Sequence, residues 1–331
     1  MTQPVQADAS TFDDVALPSA TQVPLTRGRS NLLLLLVALI WASAFVAQSV
    51  AMRSLGSFMF TGLRFALGAA VVAPFAWREW RLLRSRNRQP RRRDLLHIGG
   101  LGTLLFMGSA LQQIGMLTTT VTNAGFLTAL YIPLVPVLGW LVLRHRPHWT
   151  TWAAAAGCVA GSWLLATGGA GLAAFKAGDW WVIASSLPWA FHVMLVGRAA
   201  NRLHGAMLVA CGQFIACSAW ALAIGLTIEP ISAHGVAQAL GAIAYTGILS
   251  VGLGFTLQVV AQRHSRPADS AIVLSSETVF AAAFGALFMG DRIGRTGLAG
   301  CALILAGMLM VQLQPLVRRW FADTPPGIPS P

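Results

Sequence analysis

The sequence predicts an all-α integral membrane protein: ten transmembrane helices arranged as two inverted five-helix repeats. Three observations lead there. The chain of 331 residues is 56% hydrophobic and only 10% charged, with a mean hydropathy of +0.65, whereas a soluble domain carries about a quarter charged residues. Ten apolar stretches, each close to the roughly 20 residues that cross a bilayer, fill the chain from Asn31 to Pro315. They fall into two sets of five that align with each other. Five is odd, so the second set must cross the membrane in the opposite sense.

The spans are placed at about 32–52, 57–77, 95–117, 121–143, 149–169, 179–199, 205–226, 236–261, 268–290 and 295–315. The first runs from Asn31 through Trp41 and Phe45, too long an apolar run for a cleaved leader. The second ends where an arginine-rich segment begins, and Pro90 separates it from the third. The third-to-fourth joint lies near Thr118–Thr120. Arg146-Pro147 closes the fourth span, Gly168-Gly169 the fifth, Glu229-Pro230 the seventh, Arg266-Pro267 the eighth and Gly290-Asp291 the ninth; Gly and Pro punctuate helices because they break the backbone pattern. Residues 1–30, with Asp8, Asp13 and Asp14, and the Pro-rich end within 316–331 are expected to be disordered tails. The helical repeats are expected at 31–169 and 179–315.

A net charge of +12 raises the question of nucleic acid, and its distribution answers it. Arg78, Arg81, Arg84, Arg86, Arg88, Arg91, Arg92 and Arg93 share one loop. With the N-terminus inside, 18 of the 23 Lys and Arg residues fall on the cytoplasmic side and four outside. This bias orients the chain with both termini in the cytoplasm of an inner or plasma membrane. The cluster then contacts anionic lipid headgroups, and no nucleic-acid partner is expected. Cys158, Cys211, Cys217 and Cys301 sit within spans without metal-ligand spacing, and no cofactor is expected.

The internal alignment is consistent along the chain. A shift of 146 puts Gly108, Leu111, Gln112, Gly139 and Arg146 on Gly254, Leu257, Gln258, Gly285 and Arg292. Shifts of 148 and 149 put Trp41-Ala42 on Trp189-Ala190, and Arg64-Phe65 on Gln213-Phe214. Transporters built from inverted repeats bind substrate near the midplane, where the halves meet.

Polar groups deep in a span face a cavity or a partner, because lipid leaves them unsolvated. Glu277 is the one acid near the middle of a span and is a candidate for substrate ammonium or for a proton. A hydrogen bond to a neighbouring helix is its bland alternative. Arg64, the one base within a span, could bind a carboxylate, pair with Glu277 or tie helices together, its long side chain reaching toward the outer interface. Trp189 and His192 share a face of the sixth span with Ser185 and Val196. Trp41 and Gln48 share one on the first with Phe45 and Met52. Gln112 and Gln258 are counterparts on small-residue faces, and Tyr131 is the counterpart of Glu277. These nine are the candidate path-lining residues. Asn123 and Asp269, also counterparts, are expected to cap helices.

The motifs Trp41-Ala-Ser-Ala-Phe45, Arg64-Phe65, Asn123-Ala-Gly-Phe-Leu with Pro133, Trp189-Ala190 and Ser276-Glu-Thr-Val-Phe-Ala-Ala-Ala-Phe-Gly285 resemble the EamA domain of the drug/metabolite transporter superfamily, present twice. The resemblance implies ten helices and export of small metabolites or drugs. The Gly-Glu-Arg ending of many relatives is replaced here by Arg144-His145-Arg146 and by Gly290-Asp291-Arg292. With no nucleophile elbow, zinc spacing or phosphate loop, the expectation is a secondary transporter rather than an enzyme: an exporter of small amphipathic metabolites or drugs, with membrane lipids as its surroundings. Proton coupling and oligomeric state stay open. The rival readings are a lipid-linked sugar flippase and a polytopic membrane enzyme.

Overall fold

The computed structural model describes residues 26–144, 147–168, 176–230, 232–290, 292 and 294–322, all helix and connection with no strand among them. The predicted tail segments 1–25 and 323–331 lie outside the described residues. The helices are α1 (Arg27–Ala51), α2 (Ser57–Ser85), α3 (Arg92–Met116), α4 (Val121–Thr128), α5 (Tyr131–Leu143), α6 (Trp149–Thr167), α7 (Ala177–Leu203), α8 (Ala206–Ile228), α9 (Ala233–Tyr245), α10 (Thr256–Gln262), α11 (Pro267–Leu274), α12 (Ser276–Phe284) and α13 (Arg295–Ala322). Two π-helical segments join them, Thr246–Phe255 between α9 and α10 and Gly285–Met289 after α12. Helix extends into both predicted tail segments: α1 begins at Arg27, where Thr26 Oγ1 accepts from Arg29 N at 3.4 Å, and α13 runs on to Ala322.

Eight helices among the described residues are long and apolar enough to cross a membrane, counting α4–α5, α9–α10 and α11 onward as one each. Helices also occupy the fifth and tenth predicted spans, but neither is among the eight. The reason for α6 lies in its composition. It is rich in small residues, and α13 lies directly against Ala154, Gly157 and Gly161; a Cβ on Gly161 would come within 2.9 Å of the Leu303 side chain. Small residues let helices pack closely in lipid, at the expense of hydropathy.

Large apolar side chains point outward, as a lipid solvent requires: Leu32, Phe75, Leu141, Ile215 and Leu287 are all exposed. Trp77, Trp140, Trp149, Trp180 and Trp181, near helix ends, are exposed as well, in the manner of an interfacial belt. Trp189, by contrast, is buried.

The tightest helix pairs are α2 with α8, α6 with α13 and α3 with α7. The α2–α8 pair is held at both ends by carboxylates. Glu229, just beyond α8, accepts from Phe58 N and Met59 N at the start of α2, at 2.9 and 2.8 Å. Glu79, near the end of α2, accepts from Leu208 N at the start of α8, at 2.8 Å. Helix N-termini carry unpaired N–H groups and partial positive charge, so each glutamate stabilises its partner helix. Between these ends Ser218 Oγ donates to Gly62 O at 2.9 Å.

Two apolar spans are interrupted near their middles, and the sequence reading did not anticipate it. The chain breaks between α4 and α5 at Ala129-Leu130 and between α11 and α12 at Ser275. Pro133 removes one backbone donor after the first break. At the second, Ser275 and Ser276 hydroxyls donate back to Ile272 O and Val273 O at 2.6 and 2.8 Å. With the shift of 146, Ala129 falls on Ser275.

Candidate functional site

Residues from both halves converge on one small cavity. Eight of the nine sequence candidates line it: Trp41 and Gln48 from α1, Arg64 from α2, Gln112 from α3, Tyr131 from α5, Trp189 from α7, Gln258 from α10 and Glu277 from α12. His192 stands behind the wall. It is fully buried, its Nε2 lies 2.9 Å from Gln213 Oε1, and its ring meets Trp189 edge-on at 6.1 Å.

The wall is aromatic, centred on Phe255. Trp41 lies against Phe255 at 4.5 Å between ring centroids, and Trp189 stacks on it at 5.9 Å with 11° between planes. Each indole is seated by a glycine of the opposite half. A Cβ on Gly254 would lie 2.8 Å from Trp41 Nε1, and one on Gly108 would lie 2.9 Å from Trp189 Cε2. Trp41 Nε1 donates to Ser250 O at 3.2 Å within the π-helical segment, while Trp189 Nε1 has no partner among the described residues.

At the end of the cavity nearer the start of α2, Arg64 Nη1 donates to Gln48 Oε1 at 2.7 Å, and Gln113 Nε2 donates to the same oxygen. The guanidinium stacks within 5.3 Å of the Phe60 ring and 5.2 Å of the Phe65 ring. Arg64 is 3% exposed and forms no ion pair with Glu277 among the described residues; its partners Gln48, Gln113 and Phe60 lie near the end of α1, the end of α3 and the start of α2. The aromatic rings and the Gln48 carbonyl supply compensation for burial that the interface would otherwise provide.

Glu277 is 8% exposed and has no ion pair or hydrogen bond to any described residue. Nearby the Tyr131 hydroxyl and both polar atoms of the Gln258 amide are buried without partners among the described residues. Gln112, the counterpart of Gln258, instead donates to Thr128 Oγ1 at 2.7 Å. Buried polar atoms are almost always paired, and an uncompensated buried carboxylate costs several kcal/mol. Such a cluster facing empty space can satisfy itself on a guest that brings donors, acceptors and one positive group. No group of three or more metal-ligating side chains occurs among the described residues.

Sequence reasoning missed Phe255, Ser250 and Thr128. Phe255 carried the clearest signal, since it follows Gly254, itself the counterpart of Gly108. Both capping expectations are also corrected. Thr120, not Asn123, caps α4 through its hydroxyl. Asp269 lies inside α11 and pairs with Arg27 at 3.1 Å, because a carboxylate in a first helical turn is available to an external cation.

Known proteins share this organisation. The chain is 25% identical over 291 residues to an "Uncharacterized transporter" of Archaeoglobus fulgidus, covering 86% of each. It is 26% identical over 275 residues to the "Threonine/homoserine exporter RhtA" of Salmonella typhimurium, covering 78% of this chain and 84% of that one. It is 26% identical over 303 residues to a "Probable terminal-alkyne amino-acid exporter" of Streptantibioticus cattleyicolor, covering 88% and 96%. A solved crystal structure of a protein superposes with a TM-score of 0.67 over 87% of this chain and 99% of its own, at 18% identity, a likeness of fold alone. The sequence pattern of the EamA-like transporter family matches twice, over residues 28–167 and 176–313; the chain is an integral membrane protein that belongs to this transporter family.

Proposed function

We propose that the chain is a secondary transporter that exports small amphipathic metabolites bearing an amine, amino acids among them, by alternating access. The observation that carries the proposal is the unpaired Glu277 carboxylate in an aromatic cavity whose Tyr131, Trp189 and Gln258 polar atoms also lack partners. A substrate ammonium pairs with Glu277 and is cradled by the indole and phenyl faces, which attract cations. The Gln258 amide and Tyr131 hydroxyl hold its polar remainder. Arg64, already bonded to Gln48, anchors α1, α2 and α3 around one end of the site. His192 props Trp189 from behind. The amino-acid exporters among the relatives support this substrate class.

We further propose that residues 31–169 and 179–315 form inverted repeats that rock about this cavity, with ten spans and both termini cytoplasmic. The paired features support the symmetry: Gly254 seats Trp41 as Gly108 seats Trp189, Glu229 caps α2 as Glu79 caps α8, and the two helix breaks coincide under one shift. Discontinuous helices in corresponding positions are the usual mark of a transporter binding site. A flippase reading has no support among the relatives, and the family membership weighs against an enzyme.

The test compares amines and amino acids inside and outside cells that lack or overproduce the protein. The proposal expects a defined amine-bearing solute to accumulate inside the first and outside the second. Indistinguishable distributions for all such solutes would remove the substrate class.

A further inference from the structure

We infer that the groove between α3 and α7 holds one anionic phospholipid, its phosphate on Arg198 and Arg202 and one acyl chain along the groove. The two helices belong to different halves and are not equally close along their length. Near the end of α3 they touch through backbone: a Cβ on Gly115 would lie 2.6 Å from Gly178 O. Toward the start of α3 they part, leaving an open groove. Leu101, Leu104, Leu195 and Ala199 wall it, and Asp94, His97, Arg198 and Arg202 stand at its mouth. From Asp94 to Leu104 the helix rises ~15 Å at 1.5 Å per residue, about the depth of one leaflet of a ~30 Å core.

The charge at the mouth fits a phosphate and not a neutral or cationic headgroup. Asp94 is engaged twice: its Oδ2 accepts from Arg91 N at 2.9 Å, and its Oδ1 forms an ion pair with Arg202 Nε at 3.1 Å. Arg198 has no carboxylate partner among the described residues and is exposed. The mouth opens on the same face as the arginine-rich segment 78–93, which concentrates anionic lipid around it. The groove floor accepts a chain without displacing anything: a Cβ on Gly100 meets no atom within 4 Å. Because the groove runs between the halves, any rocking of one against the other changes its width, and the lipid favours the conformation in which the groove is open.

The experiment uses purified full-length protein in detergent, titrated with dioleoyl phosphatidylglycerol or dioleoyl phosphatidylcholine. Native mass spectrometry counts bound lipid, and thermal unfolding reads stabilisation. Phosphatidylglycerol is expected to bind in preference to phosphatidylcholine. The double variant Arg198→Gln/Arg202→Gln should weaken that binding about thirtyfold, as the loss of two lipid-facing charges at about 1 kcal/mol each implies. Gly100→Phe should weaken it as well while keeping every charge, and Arg84→Gln/Arg86→Gln, outside the groove, should weaken it far less. Wild-type binding in the double variant or in Gly100→Phe would overturn the inference. So would an equal loss in Arg84→Gln/Arg86→Gln, which would reduce the effect to general surface charge. Competition by glycerol 3-phosphate as effective as the lipid would make the groove irrelevant and the site one for free phosphate.

Discussion

Gly254→Ala and Gly108→Ala perturb the cavity wall with a single methyl each. At Gly254 the new carbon would sit 2.8 Å from Trp41 Nε1 and 3.3 Å from Cδ1; at Gly108 it would sit 2.9 and 3.0 Å from Trp189 Cε2 and Cδ2. Carbon contacts are favourable at about 3.5–4.0 Å, so each indole must move by roughly 0.6–1 Å. Overpacking of this kind costs about 1–3 kcal/mol. Trp41 would in addition lose its 3.2 Å hydrogen bond to Ser250 O, worth about 1 kcal/mol. Trp189 Nε1 has no such bond to lose. Gly254→Ala should therefore be the more damaging by about 1 kcal/mol. On the proposal that the indoles shape the substrate path, both variants should export at least about tenfold less, since 1.4 kcal/mol is a factor of ten. The assay is efflux normalised to membrane abundance, beside thermal unfolding in detergent. Gly241→Ala, where a Cβ meets nothing within 4 Å, is the control. Normal efflux in both wall variants would show that the indoles do not shape the path.

Three further outcomes follow from the same geometry. Glu79→Gln and Glu229→Gln each remove a charged cap from a helix N-terminus, with an expected loss of about 1–2 kcal/mol; lying at opposite ends of the α2–α8 pair, their effects should add, and a strongly non-additive double variant in denaturant unfolding would contradict independent caps. Arg64→Lys keeps the charge but loses the planar stacking on Phe60 and Phe65, so thermal unfolding should show destabilisation of about 1–2 kcal/mol; unchanged stability would leave those contacts without energetic weight. Reporter fusions after Val121 and Thr227 should read outside, and fusions after Gln89 and Arg202 inside; the same orientation for corresponding points of both halves would end the inverted-repeat reading.

Much of this architecture is legible in the sequence because lipid imposes simple rules. Span length, the arginine bias and the tryptophan belt follow from solvent alone, without knowledge of neighbours. Candidate cavity residues such as Gln258 and Glu277 stood out because a polar group in an apolar run demands a reason. What was not legible depends on partners distant in the chain. His192 shares a helical face with Trp189, yet Gln213 on another helix draws it behind the wall. Arg64 is buried because Gln48, Gln113 and two phenylalanine rings receive it, and only the assembled bundle brings those together. The mid-span breaks at Ala129 and Ser275 leave hydropathy unchanged, so no periodicity announces them. Small-residue helices such as α6 blur the count of spans because close packing and hydropathy ask for different side chains.

The most direct measurement is efflux by Glu277→Gln and Glu277→Asp, each normalised to membrane abundance and to thermal stability. Glutamine keeps the size and hydrogen-bonding shape of the side chain while removing the charge; aspartate keeps the charge on a shorter arm. If the carboxylate receives the substrate's cationic group, Glu277→Gln should lose efflux by about tenfold or more, as befits a charged contact of roughly 1.5–3 kcal/mol, while folding normally. Glu277→Asp should retain part of the activity with a raised KM. Wild-type efflux by Glu277→Gln at normal abundance would contradict the account, leaving Glu277 a packing residue and the cavity without its proposed role.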